Sequence, residues 1–135
     1  MFHQDGTLPP RDSKWVFVFG SNLAGLHEGG AARVAFEQFG AQMGNGVGLQ
    51  LDSYAIPTKD GDLNTMPIPL IKGYVNDFIK LAKEAHFEDK TFFVTRIGCG
   101  LAGYEDSEIA PLFSDAPANC SFAYEWRPYF DLKEL

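Results

Sequence analysis

Two runs of β-branched and aromatic residues each lead straight into a glycine-rich stretch, and this pairing restricts the chain more than any other feature. The first is Val16-Phe17-Val18-Phe19, followed by Gly20-Ser21-Asn22-Leu23-Ala24-Gly25 and then Gly29-Gly30-Ala31-Ala32. The second is Phe92-Phe93-Val94-Thr95-Arg96-Ile97, followed by Gly98-Cys99-Gly100-Leu101-Ala102-Gly103-Tyr104. A continuous apolar strand is buried on both faces, as in the centre of a parallel sheet. Glycine lets backbone N–H groups approach a ligand with no Cβ in the way, and a helix N-terminus attracts anions. Two such loops can hold a diphosphate between them, so the pattern points to a nucleotide-like ligand.

The rest of the chain fits an alternation of strands and helices. Lys14 to Phe19 reads as a central strand, and Ala31 to Phe39 has helical spacing with Gly40 as its C-cap. Gly44 to Gly48 is a turn, Ser53 to Pro57 a short strand, and Thr58 to Asp62 a polar loop. Prolines make Met66 to Pro69 extended. Leu70 to Ala85 is the clearest helix, with Ile71, Val75, Phe78, Ile79 and Ala82 on one face. Thr91 to Ile97 is the second buried strand, and Ser107 to Phe113 a short helix with Ser107 as N-cap. Cys120 to Trp126 alternates as a final strand, and Arg127 to Leu135 is a tail. This order implies an α/β layer architecture with a largely parallel sheet, in which ligands bind beyond the carboxyl ends of the strands.

At 135 residues the chain is one domain, read as an N-terminal arm over 1–13 and a single domain over 14–135. Eighteen acidic against eleven basic residues give a net charge of −7, which argues against extended nucleic-acid binding, since phosphate backbones need clustered Lys and Arg. A small anionic ligand needs only local donors. Cys99 and Cys120 have no metal-binding spacing and suit a reducing cytoplasm as free thiols. No membrane-spanning run or signal peptide is read, so the expectation is a cytoplasmic protein without a membrane partner. No metal or cofactor is expected.

The chain lacks GxxxxGK[ST], and it lacks a GxGxxG with a following acidic residue at the dinucleotide spacing, so neither an ATPase nor a Rossmann dehydrogenase fits. From about Trp15 to Trp126 it resembles the macro domains, the ADP-ribose-binding α/β family. The likeness is closest to the branch of terminal ADP-ribose–protein glycohydrolases. Its carriers are the helix start Gly29-Gly30-Ala31-Ala32, the strand end Thr58-Lys59, and above all Arg96-Ile97-Gly98-Cys99-Gly100-Leu101. The resemblance implies a compact three-layer fold with a mixed, largely parallel central sheet. It implies a ligand-binding site of Gly20, Ser21, Asn22, Gly29, Gly30 and Ala31 in the first loop. In the second it implies Ile97, Gly98, Cys99, Gly100, Leu101, Ala102, Gly103 and Tyr104. It also implies Lys59 as the nucleophile at the ribose C1″ carbon, with Asn22 beside it as a catalytic candidate. In that branch an aspartate directly after Gly-Cys-Gly-Leu completes the reaction; here the position holds Ala102. Glu105 and Asp106 are the nearest carboxylates in sequence, and Asp12 is the sole candidate for an adenine-contacting aspartate.

Each residue also has a plainer reading. Asn22 suits a glycine turn as well as a ribose hydrogen bond. Lys59 beside Asp60 makes a surface ion pair as readily as a nucleophile, which would have to be neutral to attack. Arg96 pairs with a carboxylate or meets a phosphate. Tyr104 is core, or stacks on the distal ribose. Cys99 reads as a small packer, and His27 and Glu28 as exposed loop residues. The expected partner is therefore an ADP-ribose-type small molecule or an ADP-ribosylated target. Three outcomes are in play: hydrolysis of an ADP-ribosyl linkage, a non-catalytic reader or sponge of an NAD-derived signal, and an interaction domain with vestigial loops. Ala102 favours the second over the first.

Overall fold

The computed structural model describes residues 1–130; the end of the expected tail, 131–135, lies outside the described residues. Six strands form one sheet: β1 (Phe2–His3), β2 (Trp15–Asn22), β3 (Gly48–Gln50), β4 (Ser53–Lys59), β5 (Thr91–Val94) and β6 (Cys120–Ala123). Their spatial order is β1-β6-β5-β2-β4-β3. Every pairing is parallel except β3 with β4, so the sheet is mixed and mostly parallel. The helices are α1 (Gly30–Gln38), α2 (Ile68–Ala82) and α3 (Asp106–Ile109).

Alternation along β2 divides the core in two. Val16 and Val18 face one side of the sheet, Phe17 and Phe19 the other, because successive side chains leave a strand on opposite faces. On the first side α2 lays Ile71, Val75, Phe78, Ile79 and Ala82 against Tyr54, Ile56, Phe92 and Val94. On the second side Ala32 and Ala35 of α1, with Phe39, cover Phe17, Phe19, Ala55 and Phe93. The Phe17 and Phe39 rings stack there at 4.7 Å. The result is the three-layer α/β arrangement with β2 at its centre.

Several boundaries differ from the sequence reading, each for a local reason. β2 runs on through Gly20, Ser21 and Asn22, which are strand residues rather than loop, because β4 continues beside them to Lys59. α2 starts at Ile68 inside the proline segment: Pro67 is its N-cap and Pro69 lies in the first turn, where no N–H is needed. The short helix α3 is capped by Glu105, not Ser107, in a reciprocal capping box with Glu108. β6 ends at Ala123, and a 3₁₀ segment Tyr124–Tyr129 follows, turning Trp126 into the core. The short strand β3 has only three residues and no readable alternation. Phe2 and His3 join the sheet beside β6, with Phe2 opposite Phe122, so the start of the expected arm is an edge strand. His3 stacks on Phe93 at 3.7 Å and its Nδ1 lies 2.7 Å from Ser121 Oγ.

Candidate functional site

β2 and β5 are parallel neighbours, with Val18 opposite Val94, so the loops that follow them emerge at the same edge of the sheet. Between these loops lies a cleft of about 740 Å³, within the size range of small-molecule sites. The end of β2, the start of α1, the end of β4 and the second glycine loop all line it. Among the residues expected at the site, Gly20, Ser21, Asn22, Gly29, Gly30, Ala31, Lys59 and Ile97 through Ala102 do so; Gly103 and Tyr104 do not.

The backbone donors of the cleft come in two sets. In the second loop three amides close the turn itself: Cys99 N–H donates to Arg96 O, Gly103 N–H to Gly100 O and Tyr104 N–H to Gly98 O. Among the described residues, the N–H groups of Gly98, Gly100, Leu101 and Ala102 have no protein acceptor. Gly98 holds φ +79°, a conformation that favours glycine, with Ile109 packed close behind it. In the first set, α1 begins at Gly30 after an N-cap, Gly29, that offers no side-chain cap. The opening N–H groups of this nine-residue helix therefore lack intrahelical partners, and they carry the positive end of the helix dipole.

Side chains at the other end of the cleft are mostly occupied. Asn22 Nδ2 donates to Leu26 O at 2.9 Å, and its Oδ1 accepts the Leu26 N–H at 3.0 Å. The asparagine thus clamps its own loop. Ser21 Oγ–H donates to Gly46 O at 2.5 Å, and a Cβ at Gly46 would collide with Asn22 O, so that glycine is required by close approach. A β-bulge between Ser21 and Asn22 sets Lys59, not Thr58, opposite Asn22; bulges re-aim side chains next to sites. Lys59 is half-buried in the cleft wall and has no ion-pair partner among the described residues. The Lys59–Asp60 pair open to the sequence reading is absent among the described residues, and Asp60 Oδ1 accepts the N–H groups of Asp62 and Asn64.

Arg96 takes the structural alternative. Its Nε and Nη2 donate to the two oxygens of Asp106 at 3.0 and 2.6 Å, and Nη1 reaches Asp5 Oδ2 at 3.2 Å. Asp106 Oδ1 also accepts Trp126 Nε1–H at 2.7 Å. The hydrogen bonds from Arg96 hold the Asp106 carboxyl below the usual carboxylate range, and Asp106 in turn raises the Arg96 guanidinium. One cation with two carboxylates leaves the cluster net negative, which makes it a poor phosphate anchor. Neither carboxylate near Ala102 is available for chemistry: Asp106 is locked to Arg96 and Trp126, and Glu105 is committed to its capping box. Burial pushes the Cys99 thiol up to about 12, consistent with a packer and not a nucleophile.

Three placements depart from the sequence reading. Tyr104 packs against the α2-side core and donates its hydroxyl to Met66 O at 2.6 Å, away from the cleft. His27 is fully buried rather than exposed: its Nε2–H donates to Asn45 O at 2.9 Å and its ring meets Phe19 edge-on at 5.3 Å. Asp12 lies outside the cleft and caps the turn at Lys14. Conversely, His3, Asp5, Gly6, Thr7 and Leu8 form part of the cleft wall that sequence reasoning missed. A two-residue strand has no periodicity, so the pairing of β1 with β6 leaves no signal in the sequence.

No protein-family model, curated protein or solved structure matches this chain.

Proposed function

We propose that this chain binds ADP-ribose or a related NAD-derived nucleotide in the cleft, with the diphosphate held by backbone N–H groups from both sides. The observation that carries the reading is the pair of acceptor-free donor sets lining one cavity: Gly98, Gly100, Leu101 and Ala102 on one side, the uncapped start of α1 on the other. Each charge-assisted hydrogen bond contributes about 1.5–3 kcal/mol, so three or four anchor a diphosphate with no basic side chain. Leu8, Val34 and the stacked pair His3 and Phe93 also line the cleft and offer apolar and aromatic surface suited to the base. The sugar beyond the diphosphate then lies towards Asn22 and Lys59.

Binding without turnover is the better-supported form of this function. Ala102 stands where the resembled branch has its aspartate, and Glu105 and Asp106 are both committed elsewhere. The test is isothermal titration with ADP-ribose. Saturable binding in the micromolar range is the expected result, and no heat at millimolar ligand would refute the reading.

A further inference from the structure

One wall of the cleft is held far more loosely than the others. His3, Asp5, Gly6, Thr7 and Leu8 line it, and Gln4 to Leu8 are all exposed. The ends of this stretch are fixed: His3 pairs with β6 and stacks on Phe93, and Pro9 is buried. Between those ends, among the described residues, no main-chain hydrogen bond reaches the rest of the protein. The one main-chain bond is internal, from Thr7 N–H to Gln4 O at 3.2 Å, and the Thr7 hydroxyl donates to the same oxygen at 2.6 Å. The turn so formed passes through Gly6 at φ +84°.

A single polar contact ties this turn to the body of the protein. Arg96 Nη1 donates to Asp5 Oδ2 at 3.2 Å, with the two side chains 33% and 45% exposed. An ion pair so open to water is weak. Its two halves are held unequally. Arg96 keeps two bonds to Asp106, and Asp106 is itself held by Trp126, so the arginine stays in place when the pair parts. Asp5 has no other hydrogen-bond or ion-pair partner among the described residues, so it is the half that leaves. Stretches with few bonds to the core are the ones that open locally while the core stays folded. A small-molecule site covers most of its ligand, so a wall must move for the ligand to enter and leave.

We infer that Gln4 to Leu8 form a strap over the cleft, anchored at His3 and Pro9 and latched by the Asp5–Arg96 pair, which swings out to admit and release the ligand. Closed, it brings Leu8 against the bound molecule. This rests on the proposed binding of an ADP-ribose-type ligand in the cleft and adds the regulation of access to it.

Two variants open the strap by unrelated means. Asp5→Asn removes the charge of the latch. Gly6→Ala leaves every charge in place, and its Cβ touches nothing, but it strains the closed turn at φ +84°. Both changes lie in an exposed turn outside the two cores, so both proteins are expected to fold. Surface plasmon resonance with ADP-ribose reads association and release separately. Asp5→Asn is expected to raise both rates by about two- to fivefold, and Gly6→Ala by about fivefold or more. The association rate is the decisive reading, because losing a mere ligand contact speeds release and leaves association unchanged. Wild-type binding with association unchanged or slowed in both variants would overturn the inference and leave the proposed function standing. Faster association in Asp5→Asn alone would overturn it as well, since one negative charge fewer steers an anion inward without any strap. Faster association in Gly6→Ala alone would overturn the latch. No association in any of the three proteins would bring down the proposed function and the strap together.

Discussion

Replacing Asp106 by Ala tests whether this carboxylate belongs to the scaffold. Asp106 accepts two hydrogen bonds from Arg96 and one from Trp126. The Trp126 side chain is fully buried, so its Nε1–H would be left without a partner, at about 1–3 kcal/mol. The Arg96 side chain is 33% exposed, so water replaces part of what it loses and that share shrinks to about 1–2 kcal/mol. The expected total is about 2–5 kcal/mol, a large part of a domain's usual margin of about 5–15. Urea unfolding at neutral pH measures it directly, and thermal unfolding should drop by about 10 °C. Asp106→Asn keeps one acceptor oxygen and is expected to lose roughly half as much. The pH dependence has a fixed sign. Arg96 lowers the folded pKa of Asp106 below the ordinary aspartate value of 3.8. The stabilisation is therefore complete above that value and is lost as pH falls through the lower folded pKa. The gap between wild type and Asp106→Ala is thus full at pH 7 and closes below about pH 4. A loss under about 1 kcal/mol at pH 7 would refute the view of Asp106 as a structural hub.

Gly98→Ala places a Cβ at φ +79° and 3.1 Å from Ile109 Cδ1, so it should lose about 1–2 kcal/mol in urea unfolding and weaken ADP-ribose binding. Incubation with ADP-ribosylated protein should release no ADP-ribose from either wild type or Lys59→Ala; release that depends on Lys59 would establish a hydrolase. His3 is pushed down to about 4 by burial against Phe93 and Ser121, with Asp5 opposing the shift. A depressed histidine stabilises the fold above its unfolded value of 6.5 and loses that contribution as pH falls towards 4. The urea midpoint of His3→Phe should therefore decline less than that of wild type between pH 6.5 and 4, and parallel declines would contradict the assignment.

The layer architecture was readable because β2, β5 and α2 have long or uniform patterns: Val16 to Phe19 and Phe92 to Val94 are apolar throughout, and α2 repeats every three to four residues. The two glycine loops were readable for the same reason, each following such a strand. What stayed hidden was set by contacts distant in sequence. β1 depends on β6, 118 and more positions away. Asp5 and Asp106 reach Arg96 from opposite ends of the chain. Tyr104 looked like a ligand contact because it closes the loop. Its hydroxyl instead finds the Met66 carbonyl, an acceptor that only the packing of α2 brings near. His27 reads as an exposed loop residue because it precedes the double glycine, yet the fold turns it onto Phe19.

The same placements bear on how a chain of net charge −7 could hold the anion proposed for the cleft. Net charge sets the long-range field, which salt screens within about 8–10 Å. A diphosphate in the cleft would meet donors at hydrogen-bond distance, and those donors are amides, which carry no titratable charge. The one arginine in the cleft wall is already outnumbered by two carboxylates, so affinity built here cannot depend on it. Charge composition therefore argues against an extended polyanion, which needs many separate cations, and is silent on a ligand small enough to fit between two backbone cradles.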